Sequence, residues 1–219
     1  VPFKNLTGPV PAVSLNDGRA ALVVLDIHRF TALRDAGFGR IASERGILRE
    51  LEEYYAQIDQ VLPNIALLVD ACRGWHLPVV FTRLVAGSAA DVTPLAAVTG
   101  FWTRPESAEA DYLSALRPGP DDLSIDRSGV SVFRDTVLQD ALDRRNIHSL
   151  IICGLLATGA VDLAAREAAD RGYGVIVVSD ACAADTWAAH TFLMTMLVGG
   201  LTRTRTAQAV TEMLGGMRT

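Results

Sequence analysis

The stretch Ala21-Leu-Val-Val-Leu-Asp-Ile27 is apolar at every position except Asp26. A strand packed on one face alternates apolar and polar side chains, whereas one covered on both faces does not. The run therefore predicts a strand inside a parallel sheet with helices around it. Three more runs repeat the pattern: Pro78-Val-Val-Phe-Thr82, Ser149-Leu-Ile-Ile-Cys153 and Gly174-Val-Ile-Val-Val-Ser179. Amphipathic stretches between them predict helices over residues 46–55, 62–74, 136–145, 158–171 and 187–198. Pro63 sits where a helix start tolerates proline, because its missing N–H has no intrahelical partner there.

A short strand near Leu123–Asp126 and an edge strand near Thr204–Val210 bring the count to six, and a helical turn closes the chain. Residues 85–121 read as a long irregular loop rich in Gly, Ala and Pro, with aromatics at Phe101, Trp102 and Tyr112. Such a loop suits a lid or a pocket wall. Nothing marks a repeat or a linker, so residues 1–219 read as a single α/β domain: a six-stranded, mostly parallel sheet with helices on both faces.

The chain has 219 residues, half of them hydrophobic, and a formal charge of −5, which gives it no general attraction for phosphate backbones. Nucleic acid is not an expected partner. The longest apolar run, Leu150–Ala157, is too short for a bilayer, and Val1–Leu15 has no signal-like apolar core. The expected location is cytoplasmic, with no membrane contact. Cys72, Cys153 and Cys182 form neither a disulfide framework nor a metal-ligand spacing, and the four histidines are scattered, so no metal and no cofactor is expected. Lys4 is the only lysine beside nineteen arginines, a usage associated with high-GC bacterial genomes.

In doubly wound sheets, ligands sit beyond the carboxyl ends of the strands. Asp26 reaches that edge as a candidate acid/base group, or as a carboxylate that caps the following loop. Arg127 can reach the same edge to hold an acidic group or to tune Asp26; the plainer reading is a surface arginine. Thr158 opens the helix after Gly154, as an N-cap or beside backbone N–H groups that hold an anion near Ala160. His28 is a proton shuttle or a polar wall residue. Cys153 reads as a small buried hydrophobe, and Cys182 as the one thiol to watch, or else an inert wall residue. No Gly-rich phosphate loop is present.

Taken together, Ala21–His28, Pro78–Arg83, Arg127–Phe133, Ile151–Leu155 and Ala168–Cys182 resemble the isochorismatase-like hydrolases, also called cysteine hydrolases, over residues 18–200. The resemblance implies a Rossmann-like fold and an Asp–Lys–Cys triad. Asp26 matches the aspartate, but the lysine falls on Arg127 and the cysteine on Ala160, so thiol chemistry at the usual place is impossible. True isochorismatases also lack that cysteine and cleave a vinyl ether without a covalent intermediate. Phe30 fits their pocket aromatic, whereas Leu84 and Leu156 replace polar partners expected for isochorismate. Leu84, Leu156, Trp102 and Trp187 are then candidate wall residues with Phe30.

The expectation is a noncovalent enzyme of bacterial secondary metabolism acting on a small, fairly apolar substrate. Vinyl-ether hydrolysis, elimination and cyclisation are its candidate reactions. A catalytically inactive ligand-binding or scaffolding member, and an amidohydrolase using Cys182, are the alternatives. The resemblance also implies a homo-oligomer, a dimer or tetramer. The helix 187–198 and the Phe101–Trp102 loop are its candidate contacts, although core packing is the preferred reading for most of that helix.

Overall fold

The computed structural model describes residues 11–15, 17–198 and 202–216; Lys4 lies outside them. Six strands form one sheet: β1 (Ala20–Leu25), β2 (Val79–Leu84), β3 (Leu123–Arg127), β4 (Ser149–Leu155), β5 (Gly174–Ala183) and β6 (Arg203–Arg205). Every pairing is parallel, and the spatial order is β3-β2-β1-β4-β5-β6. Among the described residues eight α-helices flank the sheet: α1 (Arg29–Ala32), α2 (Gly37–Glu44), α3 (Glu52–Gly74), α4 (Pro94–Thr99), α5 (Leu138–Arg144), α6 (Asp162–Asp170), α7 (Trp187–Val198) and α8 (Ala207–Gly215). All of β1 and β4 is buried, as their unbroken apolar runs require.

The strand order reverses between β1 and β4. This is the switch point at which connections leave in opposite directions and open a crevice at the strands' carboxyl ends. The two strands approach closely there. Leu25 pairs with Gly154, whose φ is +119°, and a Cβ on Gly154 would lie 2.1 Å from the Leu25 carbonyl oxygen. Only glycine fits that position. At this glycine the register of β4 on β5 also jumps, from Ile152 opposite Val177 to Gly154 opposite Cys182.

Three local expectations need correction. Pro63 does not start a helix but lies inside α3, which runs unbroken from Glu52 to Gly74. An interior proline costs a helix about 3 kcal/mol. Against this, Tyr54, Ile58, Val61, Ile65, Leu68 and Cys72 make a buried stripe at three- and four-residue spacing, continuous past the proline. Residues 85–121 are not wholly irregular: they hold α4, with Thr93 as N-cap, Pro94 in its first turn and Gly100 as a left-handed C-cap. The edge strand stops at Arg205, because Thr206 caps α8 by accepting from the Ala209 N–H, and Val210 belongs to the buried stripe of that helix.

Gly154→Ala is expected to lower the unfolding free energy by about 2–4 kcal/mol, since it adds both strain and a backbone clash. Gly172→Ala, at φ +89° with nothing within 4 Å of the new Cβ, is expected to lose only about 1 kcal/mol. Urea midpoints at unchanged slope measure both. Equal losses would show that the close approach of β1 and β4 carries no energetic weight.

Candidate active site

Asp26 directly follows β1 and has φ +56°, a left-handed conformation that aspartate tolerates better than most residues. Its N–H donates to the Thr82 carbonyl (3.1 Å), and its own carbonyl accepts from the Thr31 hydroxyl. The turn directs the carboxylate toward β2 and β3. Oδ1 accepts from the Thr82 hydroxyl at 2.9 Å, and Oδ2 pairs with Nη2 of Arg127. Both side chains are sealed from solvent, at 2% exposure for Asp26 and 1% for Arg127.

Arg127 is not the surface arginine of the plainer reading. It ends β3 opposite Leu84, and its Nη1 donates to the carbonyls of Gly129 and Val130, the latter at 2.9 Å. Its Nε reaches the Thr82 hydroxyl at 3.5 Å. Four of the five guanidinium N–H groups are thus engaged, one by Asp26 and three by the surrounding chain. Burial pushes the Asp26 carboxyl above its ordinary range, while Arg127 and Thr82 pull against that rise. Burial likewise lowers Arg127, and Asp26 opposes it.

His28 is fully buried. Its Nδ1 lies 3.3 Å from the Thr31 hydroxyl, and its Nε2 has no hydrogen-bond partner among the described residues. Burial lowers its pKa to about 3, so the ring is neutral at pH 7 and carries no spare proton charge. It stacks at 6.1 Å on Phe30, which meets Phe38 edge-on at 5.1 Å, and Phe38 in turn meets Phe101 at 4.7 Å. This aromatic row leads to a cavity of about 250 Å³ walled by Phe38, Ile41, Leu51, Tyr54, Phe101 and Leu156, with Arg45 and Asp185 as its charged members. Tyr54 ties the cavity wall to the backbone of the Asp26 turn: its hydroxyl donates to the Thr31 carbonyl at 3.0 Å, and the Thr31 hydroxyl donates to the Asp26 main-chain carbonyl.

The remaining candidates are divided. Leu156 walls the cavity. Leu84 is buried at the end of β2, where its carbonyl accepts from the Thr103 N–H at 3.0 Å. Trp102 is half-buried and lines none of the described cavities. Trp187 opens α7 with its ring partly exposed and edge-on to His190, and it lines none of them either. Thr158 is not an N-cap; its hydroxyl is exposed and bonds Asp185 at 3.3 Å. Ala160 is buried in a wide helical turn, Ala157–Val161, where the Leu156 carbonyl takes both the Gly159 and Val161 N–H groups at 3.0 and 3.2 Å. Sequence reasoning missed Thr82 and Thr31 as the hydroxyls that link the site; a threonine at the end of an apolar strand was the available signal for the first.

All three thiols are buried and unpaired. Burial pushes Cys72 and Cys182 up to about 12, and raises Cys153 well above the usual thiol range. No group of three or more metal-ligating side chains occurs among the described residues.

A family model described as the isochorismatase domain matches residues 20–209. Nicotinamidase 3 of Arabidopsis thaliana is 27% identical over 131 residues, which make up 56% of this chain and 64% of that protein, less than two thirds of its length. The uncharacterized isochorismatase family protein YwoC of Bacillus subtilis is 25% identical over 173 residues, 76% of this chain and 91% of its own. The crystal structure of a cysteine hydrolase from Pseudomonas syringae superposes with a TM-score of 0.80 at 20% identity, covering 96% of this chain and 99% of that one. N-carbamoylsarcosine amidase from Thermoplasma acidophilum gives 0.67 at 23% identity, covering 86% and 96%. At these identities the two structures establish a shared fold.

The neutral His28 makes stability depend on pH. Unfolded, its imidazole protonates near 6.5; folded, near 3. Its contribution is therefore complete above pH 6.5 and is lost as the pH falls toward 3, by up to about 1.4 kcal/mol per unit. Asp26 acts in the opposite sense: its raised pKa makes its contribution decline as the pH rises above 3.8. In His28→Gln, urea midpoints should lose most of their acid-side decline between pH 6.5 and 3. An unchanged decline would mean that other groups govern acid unfolding.

Proposed function

The chain belongs to the isochorismatase family, and from that footing we propose that it is a noncovalent acid/base enzyme acting on a small, fairly apolar organic molecule. Relatives of the same fold include proteins described as a cysteine hydrolase and an amidase. The observation that carries the reading is the Asp26–Arg127 pair: a carboxyl held in a dry setting at the switch point. The backbone that carries it is tied through Thr31 to Tyr54, which walls a mostly aromatic and aliphatic cavity. A carboxyl whose pKa is raised keeps its proton further toward neutral pH and can deliver it. Arg127 stays charged throughout, so its part is to orient Asp26 and to balance the carboxylate left after transfer.

For a vinyl-ether substrate the steps balance as follows. Asp26 protonates the terminal alkene carbon, leaving an oxocarbenium ion. Water adds to that ion and returns a proton to the carboxylate, and the hemiketal separates into a ketone and an alcohol. Elimination or cyclisation would use the same proton transfer without the water. Ala160 offers no nucleophile, and Cys182 is a poor one, being buried with its thiol pushed up to about 12.

A specific observation favours a second reading, in which the protein binds a ligand and does not turn it over. Both Asp26 oxygens and four of the five Arg127 N–H groups are already satisfied within the protein, as in a purely structural ion pair.

The proposal extends to a cytoplasmic, homo-oligomeric enzyme of secondary metabolism. Free thiols suit a reducing compartment, and no helix among the described residues is long and apolar enough to cross a membrane. The contact would lie on α7, which is not plain core packing: Phe192 is 68% exposed, and Trp187 and Met196 are each about two-fifths exposed.

Two measurements test these readings. Pyruvate release from isochorismate, and turnover of less polar enol ethers, should fall about 10²–10⁴-fold in Asp26→Asn with the fold intact. Turnover that survives this substitution excludes Asp26 as the acid, and binding without turnover in the unaltered protein selects the second reading. Light scattering should give a multiple of the chain mass, reduced to one chain by Phe192→Asp. A single-chain mass for the unaltered protein would remove the oligomer.

A further inference from the structure

Thr82 and Arg83 are consecutive in β2, and consecutive side chains of a strand leave opposite faces of the sheet. Thr82 turns to Asp26; Arg83 turns away, into a separate concavity of about 730 Å³. Its wall carries three guanidinium groups, from Arg29, Arg83 and Arg117, one carboxylate, from Asp111, and the apolar side chains of Leu33 and Leu113.

The three arginines differ in how they are satisfied. Arg83 is fixed, with two bonds to the Asp126 carboxylate at 2.7 and 2.9 Å, one to the Ala110 carbonyl at 2.9 Å, and the Tyr112 ring beneath it at 5.0 Å. Its charge is therefore matched. The guanidinium groups of Arg29 and Arg117 make no hydrogen bond or salt bridge among the described residues, and the Nε of Arg29 is buried without an acceptor. The Glu109 carboxylate feels the Arg29 charge but does not bond it, being held by Arg40 at 3.0 Å and by the Gly37 N–H at 2.8 Å. Set against Asp111 and Asp126, the three arginines leave the wall with an excess of positive charge, on a chain whose net charge is −5. A buried donor without an acceptor, beside an unpaired cation in a concave wall, is an arrangement that an outside oxyanion completes.

We propose that this concavity binds a small organic oxyanion, a carboxylate or phosphate carried on an apolar body, with Arg29 and Arg117 holding the anion and Leu33 and Leu113 flanking the body. The site lies across β2 from the Asp26 carboxylate and stands independently of the reading given to that residue.

The test is NMR titration of the full chain with benzoate and, separately, with inorganic phosphate, at constant ionic strength. Saturable shifts at Arg29, Asp111, Leu113 and Arg117 are expected, with a dissociation constant of about 1 mM, weakened at least about tenfold in Arg117→Glu. Arg117 is exposed, so the variant should keep the parent spectrum elsewhere; Arg29→Gln provides a second loss of the unpaired cation. Saturation by benzoate alone assigns the site to carboxylates on an apolar body, and saturation by phosphate alone assigns it to phosphates. No saturable shift with either anion, or equal affinity in Arg117→Glu, overturns the proposal.

Discussion

A carboxylate and a guanidinium withdrawn from water are each destabilising by several kcal/mol unless they meet each other and their remaining hydrogen-bonding groups are answered. The end of β1 is built around that requirement. Asp26 takes a left-handed turn, which turns its carboxylate sideways instead of along the strand. Thr82, two residues before the end of β2, bonds one oxygen and Arg127 at the end of β3 the other. Three neighbouring strands are thereby fastened at their carboxyl ends by side chains, beyond the backbone ladder that joins them. On the other flank of β1, Gly154 lets β4 come close enough that no side chain fits between them. The switch point is consequently tight on one side and polar on the other.

How much of this was legible in the sequence depends on the range of the interaction. β1, β4 and β5 could be read from their composition because a doubly covered strand has nowhere to place a polar side chain, and the same logic located Asp26. The meeting of Asp26 with Arg127 could not be read, because it depends on β3 lying beside β2 with Leu84 opposite Arg127, a register that no local pattern encodes. Pro63 misled for the converse reason. Its local signal for a helix start was real, but the buried stripe from Tyr54 to Cys72 crosses it, and tertiary packing prevailed over a local cost. The helix α7 is apolar all around, so periodicity could not say which side faces the sheet and which leaves Phe192 in solvent.

The pKa pattern separates groups suited to chemistry from groups that only fill space. Burial is the main force moving the three thiols upward; neighbouring thiols add to it at Cys153 and Asp180 at Cys182, where only a backbone hydrogen bond from Gly154 opposes the rise. Burial also keeps His28 neutral. At Asp26 the same desolvation is opposed by a fixed cation and a hydroxyl, both of which favour the carboxylate. Among these groups Asp26 alone has a charged partner of opposite sign set against its burial.

The choice of arginine at position 127 follows from the number of partners that position must serve. An ammonium group offers three donors radiating from one atom, whereas a guanidinium offers five in a plane with fixed directions. Here one edge of that plane meets Asp26 and Thr82, while Nη1 grips the carbonyls of Gly129 and Val130. A lysine could neutralise Asp26 but could not also hold Thr82 and both carbonyls in these positions. The arginine therefore joins the orientation of the carboxylate to the path of the 128–130 loop, and a displacement of that loop would be felt at Asp26 through a single rigid group. Under the acid/base proposal, that loop is the element whose movement would loosen an Arg127 bond and free a carboxyl oxygen of Asp26.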